Sequence, residues 1–407
     1  MRLLHTSDWH LGLAEHGLDR QPDHDHMLAQ IREIARSERV DVILNTGDLF
    51  DKANPDIETL RHAWASLEEL ASIAPLVVLC GNHDGAKLFE LMGTILKNRL
   101  PIHFLDTSTL LKREQGILRL PTSDHESIVI GAVPFIRSAN FLRKYLSEGL
   151  DTATLTYGDS VGTIQEQVGR WMSDGYDPSR DIRIFAAHLL LDNAQPSGSE
   201  YHFHVDSDFA VRPQRIPTAE YVAFGHIHKP QAIGGLPNGR YAGSPIPIDF
   251  GERADEKSVV VVTGRPGYSL ETKVIPLAIQ RRMIDITETL DTISANRKSY
   301  TGKIARVTVL LDTPVDDLER RVRDMLEGAS VCSVRPRYPA PIDAVPPVGG
   351  GTSEASLTEM LSAYMAGRDD VGDQPRVSRY FAEFLDQLRQ GQDLEAGVLA
   401  DLGAILP

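Results

Sequence analysis

The residues of this chain best suited to chemistry fall in five short clusters. They are Asp8-Trp9-His10, Gly47-Asp48-Leu49-Phe50-Asp51, Gly81-Asn82-His83-Asp84, a lone His188, and Gly225-His226-Ile227-His228. Asp8, His10, Asp48, Asn82, His188, His226 and His228 offer carboxylate, amide or imidazole donors, a mixture that borderline divalent ions such as Mn²⁺, Fe²⁺ and Zn²⁺ accept. Asp8 and His10 are two apart, as are His226 and His228; on an extended segment such a pair projects to one side and can grip one ion, whereas a slightly turned pair can serve two adjacent ions. Asp48 has two carboxylate oxygens and can bridge two ions, whereas Asn82 adds a ligand without another charge. The glycines at 47, 81 and 225 let the backbone turn sharply beside each cluster. Singly, these residues have plain explanations: Asp8 a cap, His188 a hydrogen-bonded core histidine, Gly81–Asp84 an ordinary turn. Jointly they do not, because all five clusters follow strand candidates, where open α/β sheets place their sites.

The strands that must position them are read from β-branched or Leu-rich runs at Leu3–Ser7, Val40–Thr46, Leu76–Cys80, Ile128–Val133, Ile182–Ala187, Tyr221–Phe224 and Ser258–Val262. Helical stripes lie between several of them. Leu28, Ile31, Ile34 and Ala35 form one; Ile57, Leu60, Trp64, Leu67, Leu70 and Ala71 form another, with Asn54-Pro55 as its entry. The early βαβα order suggests a layered α/β domain. The pattern changes near Ile275-Pro276. Residues 280–335 read as a small α+β unit with strands at Met283–Thr287 and Ala305–Leu311, and a helix opened by Thr313-Pro314. Five prolines and three glycines between Arg335 and Gly351 mark a linker. Beyond it, Leu357–Tyr364, Val377–Leu388 and Leu394–Leu402 carry helical apolar stripes that need a surface to pack on, either the parent domain or a partner.

Composition narrows the class. The 407 residues carry 42 basic and 57 acidic side chains, a net charge of −15, which argues against a general basic coat for nucleic acid. It does not exclude a nuclease, since a cation-loaded acidic site binds phosphate through its metals. No apolar run approaches a membrane span, and Asp8 comes too early for a signal peptide, so a cytoplasmic location is expected. Cys80 and Cys332 suit reduced thiols. His5 is expected inside a strand, His24 and His26 at the start of a solvated helix, and Trp9 in packing or as a wall of the site. His202 and His204 alternate like one strand face and border the site at most. Arg137, Arg143 and Lys144 form a basic cluster, either a solvated face or a phosphate contact.

The ordered set Asp-x-His, Gly-Asp-x-x-Asp, Gly-Asn-His-Asp, His and Gly-His-x-His resembles the calcineurin-like metallophosphoesterases. The opening Leu4-His-Thr-Ser-Asp-Trp-His-Leu-Gly12, Gly47–Asp51 and the stretch from Tyr241 to Phe250 are similar to the DNA-repair nuclease branch of that family. The resemblance implies a layered β-sandwich flanked by helices over 1–275, a small α+β capping domain over 276–335, a flexible linker over 336–352 and a helical partner-docking tail over 353–407. It further implies that Asp8, His10 and His228 hold one ion, that Asn82, His188 and His226 hold the other, and that Asp48 bridges them. His83 matches the family's catalytic histidine, with Asp84 placed to orient it, and Asp51 matches the motif's second acid. The implied activity is Mn²⁺-dependent, two-metal phosphodiester hydrolysis: 3′–5′ exonuclease on duplex DNA and endonuclease on single strands and hairpins. The implied partners are DNA, a second copy of the chain, and an SMC-like ATPase docked by the C-terminal helices. That ATPase would hydrolyse the ATP, since this chain has no Gly-x-x-x-x-Gly-Lys-Ser/Thr loop.

Two other classes stay open on sequence. A small-molecule phosphodiesterase or phosphoprotein phosphatase shares the core motifs, although protein phosphatases follow the Gly-Asp element with Arg-Gly where this chain has Lys52-Ala53. An inactive metal-binding scaffold is the third, and such relatives usually lose ligands, of which none is missing here.

Overall fold

The computed structural model describes residues 1–15, 17–96, 99–122, 126–137, 156–197 and 210–338. In chain order the strands are β1 Arg2–Thr6, β2 Ala14–Glu15, β3 Leu18–Asp19, β4 Val42–Asn45, β5 Leu76–Leu79, β6 Ile102–Leu105, β7 Ile117–Pro121, β8 Ser127–Val133 and β9 Asp181–His188. They continue with β10 Tyr221–Gly225, β11 Gln231–Ile233, β12 Leu236–Tyr241, β13 Ser258–Thr263, β14 Glu271–Pro276, β15 Met283–Glu288, β16 Ile304–Leu310 and β17 Ser330–Arg337. Two six-stranded mixed sheets result, ordered β14-β13-β1-β4-β5-β6 and β11-β12-β10-β9-β8-β7. Strands β1, β4, β5 and β6 run parallel in the first, and β8, β9, β10 and β12 run parallel in the second. All strand ends that matter for chemistry therefore leave their sheets in one direction.

The two sheets stack face to face. Leu3, Leu44, Val77 and Val260 of the first pack with Ile128, Ile130, Ile184 and Ala223 of the second. The outer face of the first sheet, through Leu4, Ile43 and Val78, meets the helices Gln21–Ser37, Ile57–Ala71 and Ala86–Leu96. The outer face of the second, through Phe185 and Phe224, meets the helix Tyr157–Ser173. Neighbouring residues such as Leu3 and Leu4 thus serve opposite cores, which is why these strands read as unbroken apolar runs instead of alternating ones. Each fully buried Leu or Ile stabilises by about 1.5–3 kcal/mol before chain entropy is set against it.

Some local expectations shift. The helix Ile57–Ala71 is capped by Asp56, whose carboxylate accepts from Thr59 N at 2.7 Å, and not by Asn54; Ile57 is exposed and leaves the buried stripe. The helix expected to open at Thr313-Pro314 begins at Leu318, after Asp317 in a left-handed conformation. In the small unit β15, β16 and β17 all pair in parallel, and the helices Leu290–Asn296 and Leu318–Met325 fall between them in sequence. That is a strand–helix–strand repeat, an α/β order in place of the expected α+β segregation. Strand β17 carries through Pro336 and Arg337, two residues into the stretch read as linker, where its position at the sheet edge tolerates proline. Residues 339–352 of that stretch, the tail over 353–407, His202, His204, Arg143 and Lys144 lie outside the described residues. Among the described residues no helix is long and apolar enough to cross a membrane.

Candidate metal centre

Five strand ends meet at one rim of the sandwich. Asp8 and His10 follow β1, Asp48 follows β4, Asn82 follows β5, His188 closes β9, and His226 and His228 follow β10. All seven side chains are buried. The loops after β1 and β4 are zipped by backbone bonds: Asp8 N to Gly47 O, His10 N to Asp48 O, and Leu11 N to Leu49 O, at 2.9 to 3.0 Å. Among the described residues six non-glycine residues have positive φ, and four of them are Asp8 (51°), His10 (48°), Asp48 (50°) and His226 (96°). The Asp-x-His pair is therefore left-handed at both ends, the turned and not the extended form of the two that its spacing allowed. Such backbone costs on the order of 1–3 kcal/mol per residue and persists where surrounding contacts over-determine it.

The donor atoms converge as the ligands of a cation would. His188 Nδ1 lies 2.8 Å from the carbonyl of Thr46, which can only accept, so the ring proton sits there and Nε2 carries the lone pair. That nitrogen is aimed at Asn82 Oδ1 at 2.8 Å and Asp48 Oδ2 at 3.4 Å. His226 Nδ1 stands 2.8 Å from the same Asn82 oxygen. On the other side, His10 Nε2 and His228 Nε2 face each other at 3.3 Å. One donor atom from each of Asp8, His10, Asp48 and His228 lies within 4.8 Å of the others. Lone pairs at such distances repel unless a proton or metal ion lies among them. His188 shows that demand: burial favours the neutral ring, yet the Asp48 carboxylate outweighs it and raises the imidazole to about 9. Asp48 is also buried, which opposes its charge, but His188 and the neighbouring rings hold its carboxyl well below the usual range.

Charged groups behind the cage orient the ligands. His228 Nδ1 lies 2.9 Å from Glu252 Oε1, and the other Glu252 oxygen accepts from Lys257 Nζ at 2.5 Å, Ser244 Oγ at 2.9 Å and Ile248 N at 3.1 Å. Glu252 and Lys257 are fully buried. Burial opposes the Glu252 charge, but His228 and Lys257 hold its carboxyl far below the usual range. His10 Nδ1 has Asp51 Oδ1 at 3.4 Å. Phe135 stacks on His226, its centroid 6.0 Å away at 27°. Sequence reading passed over Glu252, Lys257, Thr46 and Phe135. The one available signal was that Glu252 falls just past the Tyr241–Phe250 stretch that singled out the nuclease branch.

His83 is half-buried beside the cage. Its backbone N donates to Asp48 Oδ1 at 2.8 Å, its Nδ1 to Asp51 O at 2.8 Å, and its ring lies edge-on to His10 at 4.6 Å. The Asp51 carbonyl, not Asp84, orients this ring. Asp84 instead accepts from the backbone N–H groups of Gly81, Leu49 and Phe50 at 2.8 to 3.2 Å and ties the two loops together. Burial and the Asp48 charge push its carboxyl up to about 7. Arg137 donates to Asn82 O. His5 is buried between Tyr221 and Thr46, and Trp9 is packed with its indole N–H on Thr6. His24 is also buried, against Trp9 O, and does not start a solvated helix as expected. Cys80 and Cys332 are free and buried.

Known proteins with related sequences cover most of the chain. The chain is 28% identical to a nuclease SbcCD subunit (the one designated SbcD) of Escherichia coli (strain K12), a match covering 81% of this chain and 83% of that protein. The proteins of the same name from Bacillus subtilis (strain 168) and Rhodobacter capsulatus are also 28% identical, over 83% and 85% of this chain and 84% and 90% of theirs. A dimetal phosphatase from Danio rerio matches 68% of this chain and 99% of its own at 11% identity and a TM-score of 0.36, too distant a likeness to bear on function. Residues 1–230, more than half the chain and all seven buried donors with them, match the calcineurin-like phosphoesterase family, and the chain belongs to that family of metal-dependent hydrolases.

Proposed function

We propose that this protein is a Mn²⁺-dependent DNA nuclease subunit that hydrolyses phosphodiester bonds with two ions. Asp8, His10 and His228 would hold one ion, Asn82, His188 and His226 the other, with Asp48 between them. The observation that carries the reading is the convergence of donor atoms from His188, Asn82 and His226, and of His10 on His228, in a chain similar over about four fifths of its length to SbcCD nuclease subunits. Two divalent ions, when bound there, supply charge to clamp the scissile phosphate and acidify the attacking water.

The protein's own groups do the rest. His83, with its Nδ1 proton fixed on Asp51 O, presents Nε2 as the remaining proton-carrying position, suited to stabilise or protonate the leaving oxygen. Arg137, exposed and tied to the Asn82 carbonyl, supplies a cation for the DNA backbone where it enters the site. The polarity, 3′ to 5′ on duplex ends with endonuclease action on single strands and hairpins, follows the nuclease branch that the sequence resembles. The partner is an SbcC-like SMC-type ATPase bound through the C-terminal helices, and the work is double-strand break and hairpin processing on the nucleoid. A homodimer is supported by Leu91 and Ile95, one helical turn apart on Ala86–Leu96 and exposed by 53% and 43%.

Digestion of an end-labelled duplex tests the reading, run with Mn²⁺, with EDTA, and with His83→Ala. Release of nucleotides should require Mn²⁺ and fall by roughly 10²–10⁴-fold in the variant, while Mn²⁺ stoichiometry is kept. A variant that cleaves normally at full metal occupancy removes His83 from the mechanism. A chain that turns over small phosphodiesters but not DNA, even with the ATPase present, is a small-substrate enzyme instead.

A further inference from the structure

The short helical turn Phe250–Glu252 faces two ways. At its end, Glu252 Oε1 meets His228 Nδ1 at 2.9 Å, while Oε2 gathers Lys257 Nζ, Ser244 Oγ and Ile248 N. At its start, the Phe250 ring is buried with Met283 of β15, Ile304 of β16 and Cys332 of β17, one residue from each strand of the small sheet. The Arg306 guanidinium lies over that ring, 4.5 Å from its centroid. Arg306 also pairs with Asp285 at 2.6 Å, and Asp285 stands 3.4 Å from Arg253, whose Nη1 donates to Phe250 O at 2.7 Å. One turn of chain therefore joins the small sheet to a proposed ion ligand through side chains packed at both ends.

We propose that Glu252 is a positioning residue for the ion held by His228, and that the Phe250–Glu252 turn links that ion's affinity to the docking of the small sheet. The proposal rests on reading His228 as a metal ligand. The physics is that of a carboxylate behind a ligating imidazole. The Nδ1 proton is fixed on Glu252, so Nε2 keeps its lone pair and its direction, and the carboxylate makes the ring more basic. A fully buried carboxylate needs a counter-charge to stay ionised, and Lys257 supplies it within the same network. The turn is three residues long and held at both ends, so a shift that unseats Phe250 from the sheet is passed to Glu252 and its contact with His228. Displacement of the small sheet would then loosen the His228 side of the cage, while Asn82, His188 and His226 remain anchored on β5, β9 and β10.

Titration calorimetry of Mn²⁺ into the full, metal-stripped chain tests this without reference to cleavage. Glu252→Ala should weaken one of two binding steps by roughly 10–100-fold and leave the other unchanged. Phe250→Ala, which removes no group near the ligands, should weaken the same step by a smaller factor. Val322→Ala, which opens a cavity in the small unit on the opposite side of its sheet, should lower stability and leave both steps as they are. Unchanged affinity in Glu252→Ala, or equal weakening of both steps, overturns the positioning role. A Phe250→Ala profile matching that of Val322→Ala overturns the link. If Glu252→Ala does not fold, Glu252→Asp decides, because the shorter side chain keeps the charge but draws it away from His228 Nδ1; unchanged steps there overturn the positioning role. A wild-type chain that binds no Mn²⁺ would instead refute the metal reading itself.

Discussion

Gly81→Ala puts the packing of the cage to a direct test. A Cβ built on Gly81 meets Asp48 Oδ1 at 2.2 Å, Asp48 N at 2.3 Å and Asp48 Cγ at 2.8 Å. Real Cβ atoms essentially never come closer than 3.0 Å, so the Asp48 loop must retreat by at least about 0.8 Å. A rotamer change does not relieve the clash, since one of the atoms is backbone. Asp48 is the carboxylate between the two donor groups, and a misplacement near 1 Å at a reacting centre costs about 10²-fold in rate, or about 2.7 kcal/mol of barrier. Overpacking adds about 1–3 kcal/mol of lost stability. The assay is Mn²⁺-dependent duplex digestion at saturating metal, with urea unfolding alongside to separate the two effects. Gly175→Ala is the control. It has φ of +73° and open space around it, so it costs stability through backbone strain and leaves cleavage intact. A Gly81→Ala chain that cleaves as fast as wild type would refute both the clash and the bridging place given to Asp48.

Two further outcomes follow from the same structure. His5 is held down at about 3, because burial disfavours the charged ring and Arg240 adds to it, whereas the unfolded ring titrates near 6.5. Its contribution to stability is present above pH 6.5 and is lost as pH falls toward 3. Urea unfolding of the metal-free wild type should therefore lose about 2 kcal/mol relative to His5→Gln between pH 6.5 and 5, and parallel curves would show that His5 is not buried neutral. On the exposed face of the helix Ala86–Leu96, Leu91→Glu with Ile95→Glu should turn a dimer into a 44.9 kDa monomer in light scattering while Mn²⁺ binding is kept. A wild type that is already monomeric, or a double variant that stays dimeric, removes this helix from the interface.

The strands were legible because both faces of each sheet are covered. Runs such as Val42–Leu44 and Leu76–Leu79 are apolar without interruption, and the five polar clusters stand out as the points where those runs stop. Elements at the margins were harder. β17 carries Arg335, Pro336 and Arg337 on a sheet edge, where composition is weakly constrained, and it resembled the start of a linker. The reason offered for the glycines needed the structure as well. Gly47 does take a positive φ of 115°, but Gly81 and Gly225 are glycine for want of space, since a Cβ would reach Asp48 Oδ1 at the one and Ser7 Oγ at the other, each at 2.2 Å.

What the sequence by itself determined is the identity of the donors and their order. Residue type is a local property, and a strand end marks itself by a break in hydrophobicity. What only the tertiary structure decided is which donors face one another and what holds them. His188 meets Asn82 across 106 positions, and His10 meets His228 across 218. The left-handed turns at Asp8, His10 and His226 choose between the extended and turned pairs that the sequence left open. Glu252, Lys257 and the carbonyls of Thr46 and Asp51 act only through proximity. A buried charge pair or a tautomer-fixing carbonyl has no sequence pattern of its own, because it is made by packing strands that are far apart in the chain.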